Sequence, residues 1–188
     1  MFLSVGAART ANFTHQALVF EAKGQTETSW FRFAGWSPDF EDQNARGAVF
    51  FARLRPGDYE LVDVNFYIYS QYITSTWTAK PKFSIPFTVR RGEAIYLGEF
   101  LAYPVFGRNM FGMQVPGGGY FVVSDRFERD STLLKSKEEA PKDVSIVRAV
   151  VDPDSARVPL IRRNANEFKN DSASTTVRPA LIVARETR

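Results

Sequence analysis

Two short segments of this sequence combine apolar alternation with a turn signal, and they constrain the fold more than any other feature. Residues 54–61 read LRPGDYEL, and residues 83–100 read FSIPFTVRRGEAIYLGEF. Between residues 83 and 89 every second side chain is apolar, which is the period of a half-buried β-strand. Pro56-Gly57 has the chemistry of a type II turn, because proline presets φ and glycine accepts a positive φ. The segments therefore predict short antiparallel strands joined by tight turns, the second turn lying at Arg91-Gly92.

Apolar runs between turn signals predict further strands along the chain. The expected strands span residues 2–8, 16–22, 30–33, 47–54, 59–69, 83–89, 94–105 and 120–123. Within residues 59–69 the apolar positions change parity, so we expect either a β-bulge near Leu61 or a strand covered on both faces. Pro86 lacks a backbone donor, so we expect its strand to lie at a sheet edge or to pair on one side at that position. Residues 106–119 are rich in glycine and predict an irregular connection.

Several short strands followed by one helical pattern indicate an all-β architecture. We predict a mainly β fold, an antiparallel β-sandwich of prealbumin or immunoglobulin type, covering residues 1–153. Ser124 or Asp125 is a suitable cap for one short surface helix near residues 126–137. Residues 144–151 fit a strand or a helix, and residues 154–188 read as a polar, weakly basic and partly flexible extension with a late strand at 180–183. The expected core consists of Leu54, Val64, Phe66, Phe87, Val89, Ile95 and Leu97.

Composition excludes several classes of function. The 188 residues contain no cysteine and one histidine, so disulfides, thiolate metal sites, thiol nucleophiles and multi-histidine metal centres are ruled out. The net charge is +3, and residues 162–188 carry six basic and three acidic side chains, so the remainder is balanced. This charge is too small for a nucleic-acid partner. No run approaches the ~20 apolar residues of a membrane span, and no cofactor motif is present.

Three features are candidates for a catalytic or metal-binding site, and none of them leads to an assignment. Residues 116–119 read PGGG but lack the lysine and hydroxyl residue of a phosphate loop, so they predict a hairpin connection. His15 has no serine in a nucleophile elbow beside it. Two groups of carboxylates remain as acid–base candidates, and the first group is also a candidate calcium site. They are Asp39, Glu41 and Asp42 in a loop, and Asp58, Glu60 and Asp63 along a strand.

An aromatic run after the long strand is the best candidate for a binding site. Tyr67 and Tyr69 have the parity opposite to Phe66 and Ile68, and a Ser/Thr-rich segment with more rings follows. Tyrosine and tryptophan join apolar area to a polar group, which suits contacts with proteins or glycans. We predict a partner or ligand surface formed by Tyr67, Tyr69, Tyr72 and Trp77. The alternative is burial of these rings beneath the helix or the C-terminal segment.

The succession LRPGDYEL, FTVRRGEAIYLGEF and GGGYFVVSDRFERD, within residues 47–130, resembles a loose group of bacterial envelope proteins. Many of these are uncharacterised or assigned as lipoproteins, with a prealbumin-like or carboxypeptidase-regulatory-like β-sandwich. The resemblance implies a periplasmic or outer-membrane-associated location, with any lipid anchor attached upstream of Met1; a cytoplasmic location is the alternative. The function expected is a non-enzymatic accessory or protein-interaction module. A carbohydrate- or peptide-binding module is the second hypothesis, and a carboxylate-based hydrolase is the third.

Overall fold

Two stacked β-sheets form most of the chain in the computed structural model, which describes residues 1–25, 27–70, 74–141, 144–156 and 159–165. The first sheet contains β1 (Phe2–Ala8), β4 (Phe40–Glu41), β5 (Ala45–Phe51), β9 (Glu93–Arg108), β10 (Gln114–Ser124), β11 (Ser145–Arg148) and β12 (Ile161–Arg162). The second contains β2 (His15–Ala22), β3 (Thr28–Phe33), β6 (Gly57–Tyr69), β7 (Thr74–Thr78) and β8 (Ile85–Val89). Two short helices, α1 (Phe127–Lys135) and α2 (Pro153–Ala156), complete the described elements.

The strand order shows how the sheets are built. The first sheet runs β12-β10-β9-β1-β5-β4 with β11 beside β9, and the second runs β3-β2-β6-β7 with β8 beside β6. The second sheet is antiparallel, whereas β1 and β11 lie parallel to β9 and β12 lies parallel to β10. The mainly β, sandwich-like fold is therefore confirmed, and the first sheet is mixed rather than purely antiparallel.

The hydrophobic core lies between the inner faces of the two sheets. Val64 and Phe66 of β6 are fully buried, and β8 alternates buried and exposed residues as its sequence pattern requires. Six of the seven expected core residues are buried, and Leu54 is only partly buried against the core. Period-two alternation thus identified the inward face of these strands correctly.

The parity change within β6 arises from a β-bulge, which is one of the two explanations that the sequence left open. Val19 of β2 pairs with Asp63, but the next residue, Phe20, pairs with Leu61, so Val62 is the extra residue. The bulge lets Leu61 and Val64 both face the core. β8 pairs only with β6 among the described strands, which agrees with the edge position predicted from Pro86.

The two strand–turn–strand segments connect the sheets and do not form hairpins, which corrects the expectation of antiparallel pairs. β5 and β9 belong to the first sheet, whereas the strands joined to them, β6 and β8, belong to the second. Gly57 has an extended backbone with φ of 159°, so Pro56-Gly57 does not form the predicted type II turn. Gly92 does adopt a positive φ of 77°, and Glu93 N–H donates to the Arg90 carbonyl at 3.2 Å across that turn.

Residues 106–119 were expected to be irregular, but they form a β-hairpin. β9 continues to Arg108, β10 begins at Gln114, and the glycine run lies inside β10 beside a register shift. A Cβ on Gly119 would lie 2.6 Å from Cζ of Phe13, and one on Gly118 would lie 3.2 Å from Cδ1 of Trp77. The glycines therefore let β10 pass close beneath aromatic rings rather than supplying a flexible connection.

Helix α1 lies on the outer face of the first sheet, where it packs against β5. It begins close to the predicted position, and Phe127 N–H donates to Asp125 Oδ1 at 3.1 Å. Residues 144–151, left open between strand and helix, contain β11. Residues 161–162, placed by the sequence in the extension, add β12 to the first sheet. The late strand expected at 180–183 lies outside the described residues.

Candidate functional site

The outer face of the second sheet carries two of the predicted site residues. Directly opposed residues of neighbouring strands share a face of the sheet. Tyr67 is opposed by His15 on β2 and by Thr76 on β7, and Tyr69 is opposed by Thr74. Both helices of the described residues pack against strands of the first sheet. This face therefore lies on the side of the sandwich away from α1 and α2.

Tyr67 is held in place by a stack with His15. The two ring centroids lie 4.6 Å apart at an interplanar angle of 18°, and His15 Nε2 lies 3.1 Å from Asn65 Oδ1. Partial burial lowers the pKa of His15 below its usual range; the Asn65 hydrogen bond raises it, and the charge of Arg32 lowers it further. The lowered pKa favours the neutral imidazole, in which Nε2 donates to Asn65 Oδ1 and Nδ1 acts as an acceptor.

Exposed aromatic and basic side chains extend this site across β3 and β6. Trp30 is 51% exposed, Tyr69 is 64% exposed and Arg32 is also exposed. Trp30 and Arg32 lie opposite the small residues Val19 and Ala17 of β2, which are 3% and 0% exposed because larger neighbours cover them. We call this surface the aromatic face. Its members are His15, Trp30, Arg32, Tyr67, Tyr69, Thr74 and Thr76.

Sequence reasoning placed Trp30 and Arg32 in a strand but missed them as surface residues. The available signal was the alternation in residues 30–33, because Phe31 and Phe33 are buried and the other two side chains must then point outward. The role of His15 depends on Tyr67, which is far away in sequence. Short-range pattern does not reveal such a pair.

Trp77 is separated from the tyrosines by the sheet. It lies opposite Phe66, so its ring faces the inside of the sandwich, where it is partly buried beside Gly118. The grouping of Trp77 with Tyr67 and Tyr69 on one surface is therefore corrected. Tyr72, the fourth predicted residue, lies outside the described residues.

A buried ionic cluster beneath α1 is the second polar site of the structure, and the sequence analysis missed it. Asp130 is 0% exposed and accepts from Ser4 Oγ at 2.6 Å and from Tyr96 Oη at 2.8 Å through Oδ2. Its Oδ1 accepts from Arg129 Nε at 2.8 Å and Nη2 at 2.6 Å. Arg129 also pairs with Glu99 at 2.8 Å. We call these five residues the buried ionic cluster.

The chemistry of this cluster is structural. Four donor contacts occupy the two oxygens of Asp130, so this carboxylate is not free to bind a substrate. Burial, followed by the negative charge of Asp130, raises the pKa of the Tyr96 hydroxyl far above its usual range. Burial alone lowers the pKa of Arg129, but the carboxylates of Glu99 and Asp130 outweigh it and leave that pKa raised. The cluster ties α1 to β1 and β9.

Hydrogen bonds or ion pairs engage most of the carboxylates considered for acid–base work. Asp39 accepts from Val49 N–H and from Lys137, and Asp42 accepts from two backbone N–H groups of its own turn. Asp58 accepts from Thr88, and Asp63 accepts from backbone N–H groups near the β6 bulge. In the described ranges no group of three acidic, histidine or cysteine residues is placed to hold a metal ion.

Comparison with known proteins adds no relative: no family model, curated protein or solved structure matches this chain. Neither helix in the described part of the chain is long and apolar enough to cross a membrane. The candidate sites therefore stand on their own geometry.

Proposed function

We propose that this chain is a non-enzymatic interaction module of the bacterial cell envelope, and that it contacts a protein partner through the aromatic face. The observation that carries the proposal is the exposure of Trp30, Arg32 and Tyr69 on one face of the second sheet. These three residue types supply most of the binding energy in protein interfaces, since they bury large areas and still offer a polar group.

The surroundings of these residues support a binding role over a catalytic one. Tyr67 and His15 are held by ring stacking and by the Asn65 hydrogen bond, so that part of the face is ordered before a partner arrives. The acid–base candidates Asp39, Asp42, Asp58 and Asp63 are engaged in turns, ion pairs or strand contacts. The envelope location rests on the resemblance found in residues 47–130.

Site-specific photo-crosslinking in the native host tests this proposal. A photoreactive phenylalanine analogue replaces Tyr69 on the aromatic face, and a matched one replaces Thr132, which is exposed on α1 on the other side of the sandwich. We expect a discrete protein adduct from position 69 only, and we expect Trp30→Ala to abolish it. Equal adducts from both positions, or an adduct unaffected by Trp30→Ala, contradict the proposal.

A glycan ligand is the second candidate, and one specific observation favours it. The stacked Tyr67–His15 pair lies beside the hydroxyl-bearing Thr76, and an aromatic ring with neighbouring polar groups suits a sugar ring. Glycan-array binding that Tyr69→Ala and Trp30→Ala remove would favour this reading. Trp36→Ala is the control, because Trp36 is 84% exposed but lies in the connection after β3. Binding that all three variants retain would exclude the aromatic face as a glycan site.

A further inference from the structure

The longest hairpin among the described strands ends in an exposed apolar tip. We define the hairpin tip as residues 106–114, where β9 turns into β10. Met110 is 91% exposed, Phe111 is 78% exposed and Met113 is 57% exposed, with Phe106 beside them at 45%. β1 pairs with β9 only as far as Ala102, so among the described strands the tip belongs to a two-stranded ribbon that extends past its neighbours.

The tip is ordered by hydrogen bonds made within itself. Asn109 Oδ1 accepts from the N–H groups of Phe111 and Met113, each at 3.0 Å. Asn109 N–H donates to the Met113 carbonyl at 3.0 Å, and Gly112 N–H donates to the Asn109 carbonyl at 2.9 Å. Four of the five N–H groups in residues 109–113 are therefore bonded inside the loop. A segment that enters an apolar medium needs this internal pairing, since an unbonded backbone group is costly there.

The hairpin that ends in the tip carries one charge, and it is positive. From residue 100 to residue 124 the sequence contains a single charged side chain, Arg108, and no carboxylate. Arg108 Nη1 donates to the Gly112 carbonyl at 3.2 Å, which holds the guanidinium next to the exposed rings. The positive charge of Arg108 complements an anionic surface, and no carboxylate in residues 100–124 would be repelled by it.

The side chains at the tip favour a lipid surface over a protein partner. Methionine and phenylalanine offer apolar area without a hydroxyl or ring N–H, and methionine adapts its shape to an irregular or fluid medium. The residues that dominate the energetics of protein interfaces are tryptophan, tyrosine and arginine, and of these three types the tip contains only Arg108. We propose that the hairpin tip inserts Met110, Phe111 and Met113 into the interfacial region of an anionic lipid bilayer, with Arg108 at the phosphate level. This contact is separate from the partner surface proposed above.

Vesicle flotation tests the proposal with the full chain. The probes are vesicles of phosphatidylcholine and vesicles of phosphatidylcholine and phosphatidylglycerol in equal amounts. We expect at least about fivefold tighter binding to the anionic vesicles, which is the effect of Arg108 alone; the net positive charge of residues 162–188 adds to it. The double variant Met110→Ser, Phe111→Ser should bind at least about thirtyfold more weakly, because two apolar side chains lose their burial. Trp36→Ser, which removes an exposed ring elsewhere, should bind as the wild type does.

A site-specific label distinguishes insertion from other contacts. The chain has no cysteine, so Met110→Cys and the control Thr132→Cys each accept a single environment-sensitive dye. We expect vesicles to raise the emission of the label at position 110, and spin-labelled lipids to quench it, while the label at 132 stays unchanged. Unchanged emission at position 110 overturns the proposal. A rise in that emission with protein concentration in the absence of vesicles also overturns it, and assigns the tip to self-association. Loss of the aromatic-face adduct leaves this result unaffected, so the two proposals fail independently.

Discussion

Replacing Asp130 by asparagine tests whether the buried ionic cluster holds α1 against the first sheet. The change keeps the size of the side chain and removes its charge. Asp130 is 0% exposed and accepts from Ser4, Tyr96 and twice from Arg129, whose second carboxylate partner is Glu99. An amide retains one acceptor oxygen, and its NH₂ group must face either the guanidinium or the two hydroxyls. The expected result is a less stable protein in which α1 is held more weakly.

The size of the loss follows from the contacts. A hydrogen bond to a charged group is worth about 1 kcal/mol more than a neutral one, so the four contacts of Asp130 set an upper limit of about 4 kcal/mol. The Arg129 side chain is 32% exposed and retains Glu99 at 2.8 Å, which offsets part of this loss. We therefore expect Asp130→Asn to lower the free energy of unfolding by about 3 kcal/mol. At this chain length the melting temperature should fall by roughly 6–12 °C.

Urea denaturation followed by circular dichroism measures this change, with an unchanged m-value as the requirement for comparing the free energies. Asp154→Asn is the matched control, because Asp154 pairs with Arg163 but its side chain is 76% exposed. Exposed pairs contribute at most about 1 kcal/mol, so the control should change stability by less than that. A loss below 1 kcal/mol for Asp130→Asn, or equal losses for both variants, would refute the role assigned to the cluster.

Three further changes test the core, the glycine run and the histidine. Phe87→Ala should cost about 3–5 kcal/mol in chemical denaturation, since Phe87 is 8% exposed; a loss under 1 kcal/mol would contradict its burial. Gly119→Ala should cost about 1–3 kcal/mol, because its Cβ would lie 2.6 Å from Phe13, whereas Gly107→Ala, with open space around it, should be nearly neutral in thermal unfolding. Burial lowers the pKa of His15, so on acidification the unfolded chain takes up a proton on this histidine before the folded protein does. The free energy of unfolding should therefore fall as the pH drops below about 6.5 and level off below the pKa of the folded state. NMR titration of this single histidine, compared with the pH dependence of unfolding in a His15→Gln variant, checks the sign; a folded pKa above 6.5 would reverse it.

Much of the fold was predictable because strand identity is a local property. The bounds of β1 match those predicted, and the parity change in β6 indicated a bulge near Leu61 or a strand covered on both faces, of which the structure shows a bulge at Val62. Pro86 marked the edge position of β8 because proline removes a donor wherever it lies. Strand pairing was not predictable. A strand whose neighbour in sequence belongs to the other sheet has the same alternation as a strand that pairs with its neighbour in a hairpin. For that reason the segments around Pro56-Gly57 and Arg91-Gly92 were assigned to antiparallel pairs.

The candidate site was predictable to the extent that it depends on parity within one strand. Tyr67 and Tyr69 share a face, as their spacing requires, and Tyr69 is exposed. Trp77 lies on the other face because β7 pairs Trp77 with Phe66. Registers between strands are set by long-range packing, and no short-range pattern in the sequence reports them. The buried ionic cluster left weak signals, a serine in the buried strand β1 and Glu99 in the apolar strand β9, but their shared partner Arg129 is distant in sequence.

The amino-acid sequence by itself determined most of the strand segments, the apolar side of those strands and the chemistries that are excluded by the lack of cysteine and the single histidine. These properties depend on residue type and on spacing along the chain. Only the tertiary structure decided that LRPGDYEL and FTVRRGEAIYLGEF cross between sheets, that His15 stacks on Tyr67 and that Asp130 is buried against Ser4 and Tyr96. Those outcomes depend on which distant surfaces bury the most apolar area together while pairing their polar groups, and that choice is made by the whole chain.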